Sequence, residues 1–156
     1  MYILNSIQQL PISKEEAWAF FSDPSQLENI TPDHMSMKPM QELPKYMYEG
    51  MIILYRIEPF FKVNMKWVTE ITHIQEGKYF IDEQRFGPFR FWHHQHRLIE
   101  NKAGVELQDT VHYVMPFSIL GRVAHQLFIR KRIENIFSYR KKQLETHFRE
   151  RVNRVE

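Results

Sequence analysis

The chain has 156 residues, of which 43% are hydrophobic and 14% aromatic, and 21 basic against 19 acidic residues give a formal net charge of +2. This length and composition fit one globular domain with its own core. Because basic and acidic residues are nearly equal in number, the charge does not favour nucleic acid as a partner. Because cysteine is absent, disulfides, thiolate zinc sites and cysteine nucleophiles are excluded, and a reducing cytoplasm is the expected location.

The N-terminal part of the chain predicts a strand followed by two short helices. Residues 2–10 are rich in Ile, Leu and Tyr, as expected of a strand. Ser13 and Glu16 have the spacing of a capping box, so a helix begins there and breaks at Pro24. A second short helix is expected in SQLENI, residues 25–30. This region has neither a basic leader nor a long apolar run, so we expect no signal peptide.

Six further strands are predicted between Met35 and residue 115. They are expected at 35–41, 50–58, 63–74, 79–86, 89–99 and 105–115, and each of the five breaks between them contains Pro or Gly. Short breaks between consecutive strands imply hairpins and an antiparallel meander.

Two apolar features in this region each have two possible interpretations. Five methionines lie within residues 35–51 and form either an adaptable pocket mouth or the inner side of two strands. Phe60-Phe61 forms either a plain turn or a hairpin tip that touches a membrane. Because no window reaches the ~18 apolar residues that a membrane helix needs, stable membrane insertion is not expected.

The C-terminal part predicts one long amphipathic helix over residues 119–150, which must pack on the sheet to be stable. The apolar residues that recur at helical spacing are Val123, Leu127, Ile133, Phe137, Leu144 and Phe148. The whole order predicts an α+β domain over 1–150, with 151–156 as a C-terminal tail. In it, a curved, seven-stranded antiparallel sheet wraps around the long helix and leaves a cavity between the two layers.

This order of elements, together with four segments, resembles the START-like or helix-grip superfamily, also called SRPBCC. The segments are AWAFFSDPSQLENITP (17–32), DEQRFGPFRFWHHQHRL (82–98), LQDTVHYVMPFSILGRVAH (107–125) and RIENIFSYRKKQL (132–144). Within the superfamily, the chain is similar to the bacterial polyketide cyclase/dehydrase-like branch of ligand-binding proteins. The resemblance implies a pocket under the long helix for a lipid, polyketide or quinone-like molecule, with no cofactor and no metal. It does not imply one reaction, since the superfamily holds cyclases, hydrolases, transporters and binders.

Strand alternation predicts which side chains line the cavity, because successive residues of a strand point to opposite faces. For residues 79–86 alternation alone leaves the choice open, and the Asp-x-Gln spacing of the resembling branch favours Asp82 and Gln84 inward. The predicted wall consists of Met65, Trp67, Phe80, Asp82, Gln84, Trp92, His94, His96, Asp109, Val111, Tyr113, Met115 and Phe137.

The three histidines of WHHQH (92–96) divide between the two faces, with His93 outward and His94 and His96 inward. Buried imidazoles and carboxylates must be paired, and Asp82 and Asp109 are the expected partners. Such pairs would raise the histidine pKa values and lower those of the aspartates if both groups are ionised. A hydrogen-bonded cluster without a metal is the preferred interpretation. His94-x-His96 with one aspartate as a zinc site is the alternative.

We therefore expect non-covalent binding of a hydrophobic or aromatic small molecule, whose oxygen-bearing end the inner polar groups orient. The rival is a cyclase/dehydrase or hydrolase that uses His94 or His96 with Asp82 or Asp109 as general acid and base; no nucleophile or phosphate-loop motif is present. A third interpretation is an interaction module with its partner on the basic helix face. His125 is expected where the pocket opens, and the oligomeric state stays open.

Overall fold

A seven-stranded antiparallel sheet forms the body of the protein. The computed structural model describes residues 1–58 and 63–155, and their side chains up to residue 149, so Phe60-Phe61 lies outside the described residues. The strands are β1 (Tyr2–Leu10), β2 (Lys38–Pro39), β3 (Met51–Ile57), β4 (Met65–Gln75), β5 (Tyr79–Phe86), β6 (Phe91–Asn101) and β7 (Gly104–Val114). Strands β2 to β7 form a meander and β1 pairs with β7, which gives the order β1-β7-β6-β5-β4-β3-β2.

The sheet bends at two irregularities between β4 and β5. The register shifts between Val68 and Thr69 and again between Ile71 and His73. An additional residue on one strand of an antiparallel pair bends that strand and increases its twist. These two bulges lie in the middle of the sheet, next to residues that form its concave wall.

Tight turns join the central strands, and Gly104 shows why one of them requires glycine. Gly104 has a φ of 117°, in a range that side chains with a Cβ rarely adopt. A Cβ at this position would also press on the backbone of Leu10 and Ile12. The start of β7 and the end of β1 can therefore approach each other closely because residue 104 has no side chain.

Helices cover the concave side of the sheet. Helix α1 (Lys14–Phe21) begins at the predicted capping box, in which Ser13 and Glu16 each accept the other's backbone N–H. Helix α2 (Gln26–Asn29) follows. The C-terminal segment consists of α3 (Ser118–Ala124), a π-helical turn (His125–Ile129) and α4 (Arg130–Val155). The predicted α+β architecture, with a curved sheet and a long terminal helix, is confirmed.

The predicted strand at 35–41 is wrong over most of its length. Residues Asp33–Met35 form a 3-10 turn, and Lys38 and Pro39 pair with β3, followed by a hydrogen bond from the Met40 N–H to the Leu54 carbonyl. Ser36 has a φ of 45°, which interrupts extended structure. Proline cannot donate a ladder hydrogen bond and is confined to edge strands or strand ends, so β2 stays a short edge.

The predicted long helix is interrupted, and its apolar stripe is wrong over its first part. Val123 and Leu127 are exposed, whereas Gly121, His125 and Ile129 are buried. A π-helical turn holds more residues than an α-helical turn, so the face that meets the sheet changes there. The stripe is confirmed further on for Ile133, Phe137, Leu144 and Phe148. The backbone of α4 continues through residues 151–155, which the sequence analysis set apart as a tail.

The apolar interior is divided into two clusters. One includes Leu10, Phe20, Leu107, Leu144 and Phe148, from β1, α1, β7 and the C-terminal half of α4. The other gathers side chains of β3, β4, β7 and the N-terminal half of α4. Among the described residues, no helix is long and apolar enough to cross a membrane.

Candidate functional site

A cavity of about 130 Å³ lies between the two core clusters, under α4. Side chains from α1, α2, β3 to β7 and α4 contribute to its wall. Most of them are apolar, and Trp67 and Trp92 meet edge to face with ring centroids 5.3 Å apart. Four titratable side chains of the wall come from β5, β6 and β7, and Arg140 comes from α4.

Eight of the thirteen predicted wall residues line this cavity. They are Trp67, Phe80, Asp82, Trp92, His94, His96, Asp109 and Phe137. Seven of them lie on β4 to β7, where inward and outward positions follow the period of two, although the face of Phe80 and Asp82 was chosen from the Asp-x-Gln spacing. Phe137 was placed by helical spacing, on the side of α4 that meets the sheet.

The other five predicted wall residues lie elsewhere. Val111 is fully buried in the second core cluster, and Met65 and Met115 pack against its edge. The Gln84 amide donates to the carbonyl of Phe89 at 2.6 Å and accepts the N–H of Phe89 at 3.2 Å. Gln84 therefore holds the connection between β5 and β6.

Tyr113, the fifth, pairs with His125 away from the cavity. The Tyr113 hydroxyl lies 2.8 Å from His125 Nε2, and the His125 ring stacks on Tyr2 with centroids 3.5 Å apart. Burial raises the pKa of Tyr113 to about 12 and lowers that of His125, to which the charge of Arg130 also contributes. Both groups of this hydrogen bond are therefore kept neutral. His125 is buried in this contact and does not stand at the cavity mouth.

The sequence analysis did not predict that the segment of the chain between β1 and β3 contributes to the cavity wall. The cavity is also lined by Phe20 and Phe21 of α1 and Leu27 of α2. Their helical spacing predicts that they are buried, but not that they face a cavity. The five methionines do not all follow one of the two interpretations, pocket mouth or inner side of strands. The cavity is lined by Met35, Met37 and Met47, whereas Met51 is in the core and Met40 is exposed.

Arg140 is the second missed wall residue. It lies on α4 one turn after Phe137, and its guanidinium carbon is 5.1 Å from the centre of the Phe137 ring. Its Nε is buried and has no hydrogen-bond partner among the described residues. The spacing of seven from Ile133 is the signal that could have placed it on the inner face.

Asp82, His94, His96 and Asp109 form one closed cluster in the cavity wall, here called the His–Asp quartet. The sheet register pairs Asp82 with His94 and His96 with Asp109 across neighbouring strands. Asp82 Oδ2 lies 2.7 Å from His96 Nε2 and 3.5 Å from His94 Nδ1. Asp109 Oδ1 lies 3.0 Å from His94 Nε2 and 2.9 Å from His96 Nδ1. One oxygen of each carboxylate therefore faces both imidazoles.

The two imidazoles have opposite pKa shifts. Burial lowers the pKa of His94, and the charge of His96 lowers it further, which outweighs the aspartates. Burial opposes protonation of His96 as well, but hydrogen bonds to Asp109 and Asp82 raise its pKa. The expectation that both values would rise is therefore wrong for His94, since two adjacent imidazolium ions would repel each other.

The aspartates of the quartet are ionised. Burial alone would raise their pKa values, but the charges of His94 and His96 and the hydrogen bond from His96 lower the pKa of Asp82. Hydrogen bonds from both histidines lower that of Asp109. The distances favour a charged His96 that donates to both carboxylates and a neutral His94 that donates to Asp109. His94 Nδ1 then carries a lone pair, and it faces Asp82 Oδ2 across the longest of the four contacts, 3.5 Å.

The third histidine of the motif is on the outer face, as the alternation predicts. His93 Nδ1 lies 2.8 Å from Glu83 Oε1, and Glu83 also binds Arg85 at 3.0 Å. All three side chains are partly exposed, so solvent screens this pair and it contributes little to stability.

The fold is shared with known structures, although the sequence is not. No protein-family model matches the chain, and no curated protein matches it significantly. Solved structures that match include CV1439 from Chromobacterium violaceum (14% identity, TM-score 0.70, 95% of this chain and 98% of that chain). TTHA0849 from Thermus thermophilus matches at 12% identity and a TM-score of 0.68, over 94% of this chain and 99% of that one. Ara h 8.0201 matches at 12% identity and a TM-score of 0.59, over 93% and 98%. The chain thus has the helix-grip fold, and at these identities the likeness concerns the fold alone.

Proposed function

We propose that this protein binds a hydrophobic or aromatic small molecule in the cavity between sheet and α4. The observation that carries the proposal is the wall itself, which is largely apolar, with the His–Asp quartet on the sheet and Arg140 on α4 among its few charged groups. A dry cavity of ~150 Å³ is large enough to hold benzene, so about 130 Å³ accommodates roughly one aromatic ring. A lipid, polyketide or quinone-like ligand would place such a unit inside and extend beyond it. Its affinity would come chiefly from apolar burial, at ~25 cal/mol per Å².

Arg140 supports a ligand that carries an oxygen acceptor. The quartet already satisfies the N–H groups of His96, whereas the Arg140 Nε–H is buried without a hydrogen-bond partner among the described residues, and the charge of Arg140 contributes to the lowered pKa of Asp82. A buried donor without a partner costs free energy, which a ligand oxygen would recover. The ligand class is therefore an apolar or aromatic body with a carbonyl, carboxylate or phenolic oxygen at one end.

A matched pair of probes tests the proposal: p-xylene and 4-methylbenzoate, which differ by one carboxylate in place of a methyl group. We expect both to bind, as measured by calorimetry or NMR titration. Ile133→Trp should fill the cavity and abolish binding, whereas Ile7→Trp on the exposed side of β1 should leave binding unchanged. Arg140→Met should weaken 4-methylbenzoate by about tenfold or more and leave p-xylene unaffected.

Two results would overturn this proposal. One is the absence of binding by either probe to the folded wild-type protein. The other is equal affinity of the wild-type, Ile133→Trp and Arg140→Met proteins for both probes. Mass identification of small molecules that copurify with the protein from its native host would then name the natural ligand.

A second candidate function, a cyclase/dehydrase or hydrolase, is favoured by the opposite pKa shifts of His94 and His96. A neutral imidazole beside a charged one provides a base and an acid on the same wall. An aldol cyclisation or dehydration of a polyketide would need both roles. Turnover of a poly-β-keto thioester that His94→Gln abolishes, without loss of probe binding, would favour the enzyme over the binding protein.

The remaining expectations have weaker support. The cytoplasm stays the expected location because cysteine is absent. A partner on the basic face of α4 has no observation in its favour, since the exposed pair Arg130–Glu134 is of the kind found on solvated helix faces.

A further inference from the structure

The quartet presents three potential metal ligands toward one point. One ligand atom from each of Asp82, His94 and His96 lies within 4.8 Å of the others. The contacts to Asp82 Oδ2 come from His94 Nδ1 at 3.5 Å and His96 Nε2 at 2.7 Å. Zinc bonds to nitrogen and oxygen of ~2.0–2.2 Å place neighbouring ligands in a tetrahedral site roughly 3.3–3.5 Å apart. A metal ion therefore fits after small side-chain rotations.

Asp109 provides an independent observation, because it orients both imidazoles. The nitrogens that face away from Asp82, His94 Nε2 and His96 Nδ1, lie 3.0 Å and 2.9 Å from Asp109 Oδ1. In metal sites a ligand histidine commonly donates its other N–H to a carboxylate, which fixes the tautomer and makes the imidazole a better ligand. Asp109 is buried and does this for two histidines at once. Metal binding at His96 Nε2 would release the proton that this nitrogen shares with Asp82, and both remaining lone pairs are then directed to the side of Asp82.

We propose that Asp82, His94 and His96 bind one divalent transition-metal ion, with Asp109 as the positioning carboxylate. Two imidazoles and a carboxylate suit zinc and its neighbours in the first transition row, rather than calcium or magnesium. Three protein ligands leave a coordination position free. Because all three residues line the cavity, that position faces the space in which a ligand oxygen or a water would sit.

Zinc binding to the chelator-treated protein, with no small molecule present, tests the proposal separately from the proposed function. Calorimetry should give one Zn²⁺ per chain, with at least about 100-fold loss of affinity in His96→Ala and in Asp82→Ala. Asp109→Asn should weaken binding by about 10–100-fold. His93→Ala, next to the site but on the outer face, should bind zinc like the wild type.

Cobalt(II) adds a readout that does not depend on any variant folding. The wild-type protein with Co²⁺ should show the intense visible absorption of a four-coordinate ion with nitrogen ligands, and Zn²⁺ should displace it. A spectrum of hexaaqua-like Co²⁺, or zinc affinity that falls equally in His93→Ala and His96→Ala, would overturn the proposal. Zinc binding without probe binding would retain the metal site and refute the proposed ligand function.

Discussion

Two histidines on the same strand face share the same two aspartates and still differ in protonation. The difference follows from contact length: Asp82 Oδ2 approaches His96 to 2.7 Å but His94 only to 3.5 Å. Each carboxylate offers one oxygen to both rings, whose centroids are 3.7 Å apart. A second positive charge on His94 would gain one weak contact and lose free energy by repulsion from His96. At pH 6.5, His96 is therefore mainly an imidazolium and His94 mainly a neutral imidazole.

This difference predicts two separate titrations. In an NMR titration of imidazole nitrogens, His96 should lose its proton above its ordinary pKa of 6.5 and His94 should gain one below 6.5. The stabilisation from charged His96 is complete below pH 6.5 and is lost as the pH rises through its raised pKa. The stabilisation from neutral His94 is complete above pH 6.5 and is lost as the pH falls. Coincident titration of both rings near pH 6.5 would contradict the assignment.

At the scale of elements, the strands from β3 to β7 could be predicted because Gly and Pro mark the turns. The inner faces of β4, β6 and β7 could be predicted because side chains alternate. The face of His94 and His96 follows from that period, but their different protonation depends on differences of less than 1 Å that no pattern encodes. The segments before β3 and before α4 could not be predicted. In both, non-glycine residues take positive φ, Ser36 in one and Phe117 and Ser118 in the other. Serine and phenylalanine rarely adopt positive φ, so these residue types do not predict such a conformation.

The turn before β7 supplies a prediction at this scale. Gly104→Ala should lower the free energy of unfolding more than Gly50→Ala, in chemical denaturation. Both glycines have positive φ, 117° and 82°, which costs an alanine ~1–2 kcal/mol. A Cβ meets the backbone of Leu10 and Ile12 at residue 104 and nothing within 4 Å at residue 50. The clash should add ~1–3 kcal/mol. Equal losses would show that β1 and β7 do not approach as described.

On the scale of the whole molecule, apolar surface is unevenly distributed. The cavity divides the interior into two clusters, while the start of the C-terminal helical segment places large apolar side chains in solvent. They include Phe117, Ile119, Leu120, Leu127 and Phe128. These residues lie before or within the π-helical turn, whereas α4 packs on the sheet beyond it. The same helical segment thus changes from exposed leucines to the fully buried Leu144.

Leucine-to-alanine changes at the two ends of this segment should therefore have very different effects. Leu144→Ala, at 0% exposure, should lower the free energy of unfolding by ~2–5 kcal/mol. Leu120→Ala, at 77% exposure, should change it by less than ~0.5 kcal/mol and shorten retention on a hydrophobic-interaction column. Thermal unfolding and chromatography of both variants check this, and comparable destabilisation by the two would contradict the helix face assigned here.

The pairing of β1 with β7 has a consequence for biosynthesis. Its partners, from Tyr2 with Tyr113 to Leu10 with Val105, are about a hundred residues apart in the chain. A ribosome releases β1 first, and that strand waits without its neighbour until nearly the whole sheet has been translated. Asp109 belongs to the same late strand, whereas Asp82 precedes both histidines in the chain. The nascent chain therefore contains His94, His96 and Asp82 before Asp109 is translated. The charged wall is complete once β7 has been translated, and the pocket closes only after α4 has followed.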